Sequence, residues 1–177
     1  MKKKVLAISG STRINSTNQN LINAIIDLYK GQLDFDQYKG LSELPHFNPD
    51  NDTENPPYTV AEFRKKIKEA DGILICTPEY GLGVPGTLKN AIDWTVSSAD
   101  FSKKPTALIT ASSMGEKAHE SLLGTLRIIE ANISDDIQLL ISYAKTKIGA
   151  DNRISDLKTA EEINKLMNSF IGMLSKP

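Results

Sequence analysis

Three short apolar runs limit most strongly what this chain can fold into: Val5–Ile8, Ile73–Cys76 and the TALITA core of segment 105–111. Each is apolar at successive positions rather than at alternate ones. A half-exposed strand would alternate, so these runs read as strands buried on both faces, the interior of a parallel sheet. Each run leads through a small polar turn into a segment of helical spacing. Leu21, Ile25 and Leu28 follow the first, Leu88, Ala91, Ile92 and Val96 the second, and Ala118, Leu122, Leu126 and Ile129 the third. Weaker signals complete the pattern. Leu33–Tyr38 alternates and reads as a second strand near the sheet edge, and Ile137–Ile141 as a fifth. Val60, Phe63, Ile67 and Ala70 mark one further helix, and Ile163, Leu166, Met167, Phe170 and Leu174 the last. Ser16 with Gln19, Thr59 with Glu62 and Thr159 with Glu162 predict capping boxes at three helix starts. Strand and helix alternate five times, which calls for an α/β fold with helices on both faces of a parallel sheet.

With 177 residues and no break in composition, the chain reads as one domain over 1–177. The net charge of -1 gives no electrostatic case for nucleic acid or an anionic membrane. Lys2–Lys4 is the only basic run and reads as a solvated chain start. No apolar stretch approaches the ~20 residues of a membrane span. The single cysteine, Cys76, lies inside an apolar run and reads as a core residue. His46 and His119 are far apart, so no zinc pattern is present. Without a disulfide set or targeting segment, the expected compartment is cytoplasmic. Segment 39–58 is rich in proline and reads as a long irregular loop, and 143–156 as a polar connection without a motif.

Chemistry concentrates in the turns after the strands. Gly10–Asn18 holds Arg13, four hydroxyls (Ser11, Thr12, Ser16, Thr17), two amides and no acid, at a helix N-terminus. Helix dipole, free N–H groups and a guanidinium fork suit a phosphate dianion. The same residues could form a capped turn with incidental hydroxyls. No G-x-x-x-x-G-K-[ST] pattern is present, which disfavours triphosphate hydrolysis. Gly81, Gly83 and Gly86 spell G-x-G-x-x-G, but Pro78-Glu79-Tyr80 separates them from the strand and Pro85 lacks an N–H. These glycines read instead as letting backbone approach a flat ligand.

The stretch PEYGLGVPGTLKNAIDW resembles the PEYN-x-x-x-PG-x-LKNAIDW signature of the NADPH-dependent FMN reductase family, and Gly10–Asn18 resembles its GS-x-R-x-x-S-x-N loop. Gly81 stands where that family often has asparagine, and Glu116 where it commonly has a second glycine. The resemblance implies a flavodoxin-like three-layer sandwich with strand order 2-1-3-4-5. In that order the loops after the first and third strands flank the topological switch point. It further implies FMN, with Ser11, Arg13, Ser16, Thr17 and Asn18 on the phosphate. Pro78, Glu79, Tyr80 and Gly81 would lie along the isoalloxazine, with Ser112 and Gly115 at its other edge. NADPH or NADH would donate the hydride. A quinone, azo compound, metal oxyanion or free flavin would accept electrons, without a catalytic side chain. A homodimer or homotetramer with the flavin near the interface is implied. Tyr80 could instead be a packing residue, Glu79 a solvated charge, His46 a rim or surface residue, and Trp94 a core or interface residue. The competing readings are a non-enzymatic FMN electron carrier and a flavin sensor. Arg13 and the near-neutral charge speak against the carrier.

Overall fold

The computed structural model describes residues 1–175. Strands and helices alternate as β1 (Lys3–Ser9), α1 (Thr17–Tyr29), β2 (Leu33–Tyr38), α2 (Tyr58–Glu69), β3 (Gly72–Thr77), α3 (Gly86–Asp93), β4 (Thr106–Ala111), α4 (Glu116–Ile128), β5 (Gln138–Ile141) and α5 (Leu157–Leu174). The five strands form one parallel sheet in the order β2-β1-β3-β4-β5. This is the flavodoxin-like arrangement.

The apolar runs are continuous because consecutive residues feed different cores. Val5, Ala7, Leu74, Cys76, Ala107 and Ile109 face α1 and α5, where they meet Leu21, Ile25, Met167 and Phe170. Leu6, Ile8, Ile73, Ile75 and Leu108 face the other way, against Val60, Phe63, Ile92, Trp94 and Leu122. Register brings the carboxyl ends level: Ser9 pairs with Cys76, and Thr77 with Thr110. The loops after β1, β3 and β4 therefore open on one rim. At the switch point Gly10 N–H donates to the Cys76 carbonyl at 2.8 Å. A Cβ on Gly10 would collide with the Thr77 side chain, so this close approach needs glycine.

Several local expectations change. Ser16 does cap α1, its Oγ 3.5 Å from Gln19 N, but the Gln19 side chain turns to Asn23 and Gln37 instead of closing the box. Thr59 caps nothing, because α2 starts at Tyr58 behind Pro57, whose extended backbone and carbonyl supply the entry. Thr159 lies inside α5. Asp156 is the cap, accepting from both the N–H and the hydroxyl of Thr159. Leu28 is 65% exposed because the buried stripe of α1 runs through Leu21, Ile22, Ile25 and Tyr29. Val96 is also exposed, since α3 ends at Asp93. Ile137 belongs to a 3₁₀ turn before β5.

Trp94 is fully buried, which decides for the core, and its Nε1 donates to the Pro45 carbonyl at 2.8 Å. Asn90 grips the same loop twice: its Nδ2 donates to Pro45 O, and its Oδ1 accepts from Phe47 N. Cys76 has no exposed surface, and burial pushes its thiol pKa up, so it is an inert core residue. Arg64, in the middle of α2, is buried. It donates to the Trp94 carbonyl and to Asp52, and it pairs with Asp100. One charged side chain thus joins the long loop, α2 and the turn after α3.

Candidate active site

Four loops at the carboxyl edge of the sheet enclose a cleft of about 150 Å³. Arg13, Ser16, Thr17 and Asn18 come from the loop after β1 and the first turn of α1. Pro78, Glu79 and Tyr80 follow β3, and Ala111, Ser112 and Ser113 lie at the end of β4. Ala144 and Lys145 complete the wall from a 3₁₀ turn after β5. Eight of the eleven residues singled out in the sequence therefore share one wall. Ser11, Gly81 and Gly115 stand just outside it.

Those three have visible local roles. The Ser11 hydroxyl lies 3.3 Å from the Tyr80 hydroxyl, linking the loops after β1 and β3. Gly81 has φ +56 and Leu82 φ +63. Tyr80 and Gly83 exchange backbone hydrogen bonds of 2.9 and 3.1 Å across them. This is a two-residue turn of the I′ kind, which requires positive φ at both central positions. Nothing lies within 4 Å of a Cβ built on Gly81, so conformation rather than crowding favours glycine there. Gly115 packs behind the wall, where a Cβ would meet Leu140 Cδ1 at 2.9 Å.

Neither Glu79 nor Tyr80 is a free loop side chain. Glu79 N–H donates to Ser112 Oγ at 3.2 Å, and its carboxylate accepts from Ala118 N–H at 3.0 Å. His46 is exposed and lies outside the cleft wall. His119 also stands outside it, half-buried between Thr110 and Gln138. A larger hollow of about 580 Å³ lies beside α2, but no strand end opens into it and its central charge, Arg64, is already paired with Asp52.

A model of the family described as NADPH-dependent FMN reductase matches residues 3–146. The chain belongs to this family. It is 33% identical over 172 residues to an NAD(P)H-dependent FMN reductase of Pseudomonas aeruginosa, covering 94% of this chain and 92% of the relative. It is 30% identical over 176 residues to a 2-hydroxy-1,4-benzoquinone reductase of a Burkholderia species, covering 96% and 95%. A solved structure of FerB, an NAD(P)H:(acceptor) oxidoreductase from Paracoccus denitrificans, superposes with a TM-score of 0.84 at 26% identity, with 97% of each chain covered. The protein is thus a flavin-dependent oxidoreductase with FMN as its cofactor and NADPH or NADH as hydride donor.

The cleft fits an FMN reductase. Asn18 is 3% exposed, and its Nδ2 donates to the Ala111 carbonyl at 3.0 Å, yet its Oδ1 is buried without a hydrogen-bond partner. A buried amide oxygen on a cleft wall needs a donor, and a polyhydroxylated chain supplies one. Among the described residues, the Arg13 guanidinium and the Lys145 ammonium pair with no carboxylate, and Glu79 is the only acid on the wall. That donor set suits an anion. Lys145, Ala144, Ala111 and Ser113 escaped the motif reading. Fold logic alone could have pointed to the first two, because every loop after a strand's carboxyl end reaches this rim.

Proposed function

We propose that the cleft seats FMN at the crevice between β1 and β3, and that this FMN reductase passes reducing equivalents from NADPH or NADH to small electron acceptors, quinones foremost. The observation that carries the reading is the cleft's polarity. Unpaired cations, hydroxyls and the orphan Asn18 oxygen gather beside the start of α1, while Pro78 and Tyr80 line the β3 side. Arg13, Ser16, Thr17 and Asn18 are assigned to the phosphate and its adjoining chain, helped by the N-terminus of α1. Ser11 supports them through Tyr80. The Pro78–Gly81 turn and Ser112 are assigned to the ring, and Gly115 holds the turn behind it. Bound FMN supplies the hydride chemistry itself. The protein's part is to orient the cofactor, leave room for a second flat molecule and exclude competing contacts. No nucleophile–base pair lines the cleft, so proton transfer by a side chain is not required of it.

The benzoquinone reductase relative supports a quinone acceptor; azo compounds, metal oxyanions and free flavin are further acceptors of the same permissive kind. We further propose that the chain acts as one domain, in the cytoplasm, as a homodimer or homotetramer. Each loop around the cleft carries an exposed apolar side chain: Ile14, Tyr80, Leu82, Met114 and Tyr143. A second copy of the chain fits such a rim.

The phosphate assignment has a direct test. Arg13→Ala removes a charge-assisted contact and should weaken FMN binding by ~1.5–3 kcal/mol. Riboflavin, which lacks the phosphate, should lose far less. Fluorescence titration with both flavins decides it, and equal losses would sink the assignment.

A further inference from the structure

Glu79 does something that neither its motif nor the family description assigns. Helix α4 begins behind Gly115, which has no side chain to satisfy the free N–H groups of the first turn. A serine or aspartate at that position would normally do so by bonding the N–H of the second or third helical residue. Here it has no room, because a Cβ on Gly115 would meet Leu140 Cδ1 at 2.9 Å and Thr110 Cγ2 at 3.1 Å. The bond to the third residue comes from elsewhere. Glu79, 39 positions earlier, places its carboxylate 3.0 Å from Ala118 N. Its own N–H reaches Ser112 Oγ at 3.2 Å, a second tie to the same turn. Next to it, Tyr80 touches Ser11 across the crevice at 3.3 Å.

We propose that Glu79 is a positioning residue that caps α4 from a distant loop of the same chain and so locks the turns after β3 and β4 into a single preformed wall. The carboxylate also sits where a helix N-terminus favours negative charge. Its charge is thereby directed to α4 and away from the anion that Arg13 and Lys145 await. The inference builds on the assignment of this cleft to FMN, and it predicts that ring and loop geometry, not the phosphate, depends on Glu79.

Three variants separate reach from charge. Gln keeps an acceptor at the same distance, Asp keeps the charge but falls one methylene short, and Ala keeps neither. Amide exchange at Ala118 in the flavin-free protein should accelerate about fivefold in Glu79→Ala, the usual scale of a lost cap. FMN and riboflavin dissociation constants should rise together by a similar factor. Glu79→Asp should behave like Ala, and Glu79→Gln should stay within about twofold of the parent on all three readouts. The Gln and Asp arms stand even if the Ala variant does not fold. Wild-type exchange and affinity in Glu79→Asp would overturn the proposal, as would a Gln variant as impaired as Ala. If the parent bound neither flavin, the cleft assignment would fail, while exchange at Ala118 would still decide the cap.

Discussion

At position 81 glycine and the family's frequent asparagine answer the same demand. The Tyr80–Gly83 turn needs a left-handed residue there, and both tolerate it where branched side chains do not. Gly81→Asn should therefore keep FMN affinity within about twofold, whereas Gly81→Val should carry a strain of about 1–2 kcal/mol and weaken binding. Equal FMN titrations for the two variants would refute this. The histidines give a second contrast at this scale. Burial lowers the His119 pKa, outweighing its bond to Gln138. The folded protein then binds fewer protons than the unfolded chain between that lowered value and about 6.5. Stability contributed by neutral His119 is present above about pH 6.5 and is lost as pH falls towards the folded value. Urea unfolding should show a steeper loss from pH 7 to 5 for the parent than for His119→Gln. Parallel pH profiles would contradict it. Activity of His46→Ala and His119→Ala should stay within about tenfold, short of what deleting a general acid or base costs.

At the scale of elements, the LKNAIDW part of the signature works as a clamp. Asn90 and Trp94 hold Pro45 and Phe47 of the long loop, and Phe47 meets the Trp94 ring edge-on at 5.0 Å. Arg64 fastens the same loop further on through Asp52. There burial raises the carboxyl pKa, but the Arg64 and Ser97 contacts and the guanidinium charge outweigh it and hold the carboxyl below its usual range. Arg64→Ala leaves the buried Asp52 carboxylate without its cation and reduces Asp100 to Lys68 and Ser98, and should cost about 3–5 kcal/mol. A thermal melt indistinguishable from the parent would refute that. Arg64 was invisible in the sequence because a charged residue that opens a run with Lys65 and Lys66 on a helix reads as solvent-facing. The strands were legible because burial on both faces leaves no polar gap, as in Ile73–Cys76. Helix starts were less so. Thr159 and Thr59 carry cap chemistry, but Asp156 and Pro57 lie closer to where the chain can turn. Lys145 follows β5, a short strand with mostly half-buried residues, in a stretch whose polarity gives no period.

At the scale of the whole molecule, the sheet order places every chemically distinctive loop on one edge, and two of the four were marked by their residue types. What the sequence could not show is how those loops fasten to one another, since Glu79–Ala118 and Ser11–Tyr80 join residues 39 and 69 positions apart. No helix among the described residues is long and apolar enough to cross a membrane. The exposed apolar rim predicts self-association. Light scattering at micromolar concentration should give at least twice the 19.4 kDa chain mass, and a strictly monomeric mass would contradict it. The central claim is that FMN held in this cleft carries electrons from a nicotinamide to an acceptor without a protein acid or base. Stopped-flow absorbance of the FMN-loaded protein, mixed anaerobically with NADPH or NADH and then with a quinone, tests it most directly. The account predicts bleaching of the flavin band by NADPH or NADH and its full return on quinone addition, in the parent and in both histidine variants. A flavin band that persisted under both NADPH and NADH, or that bleached in the parent and not in a histidine variant that still held FMN, would contradict it.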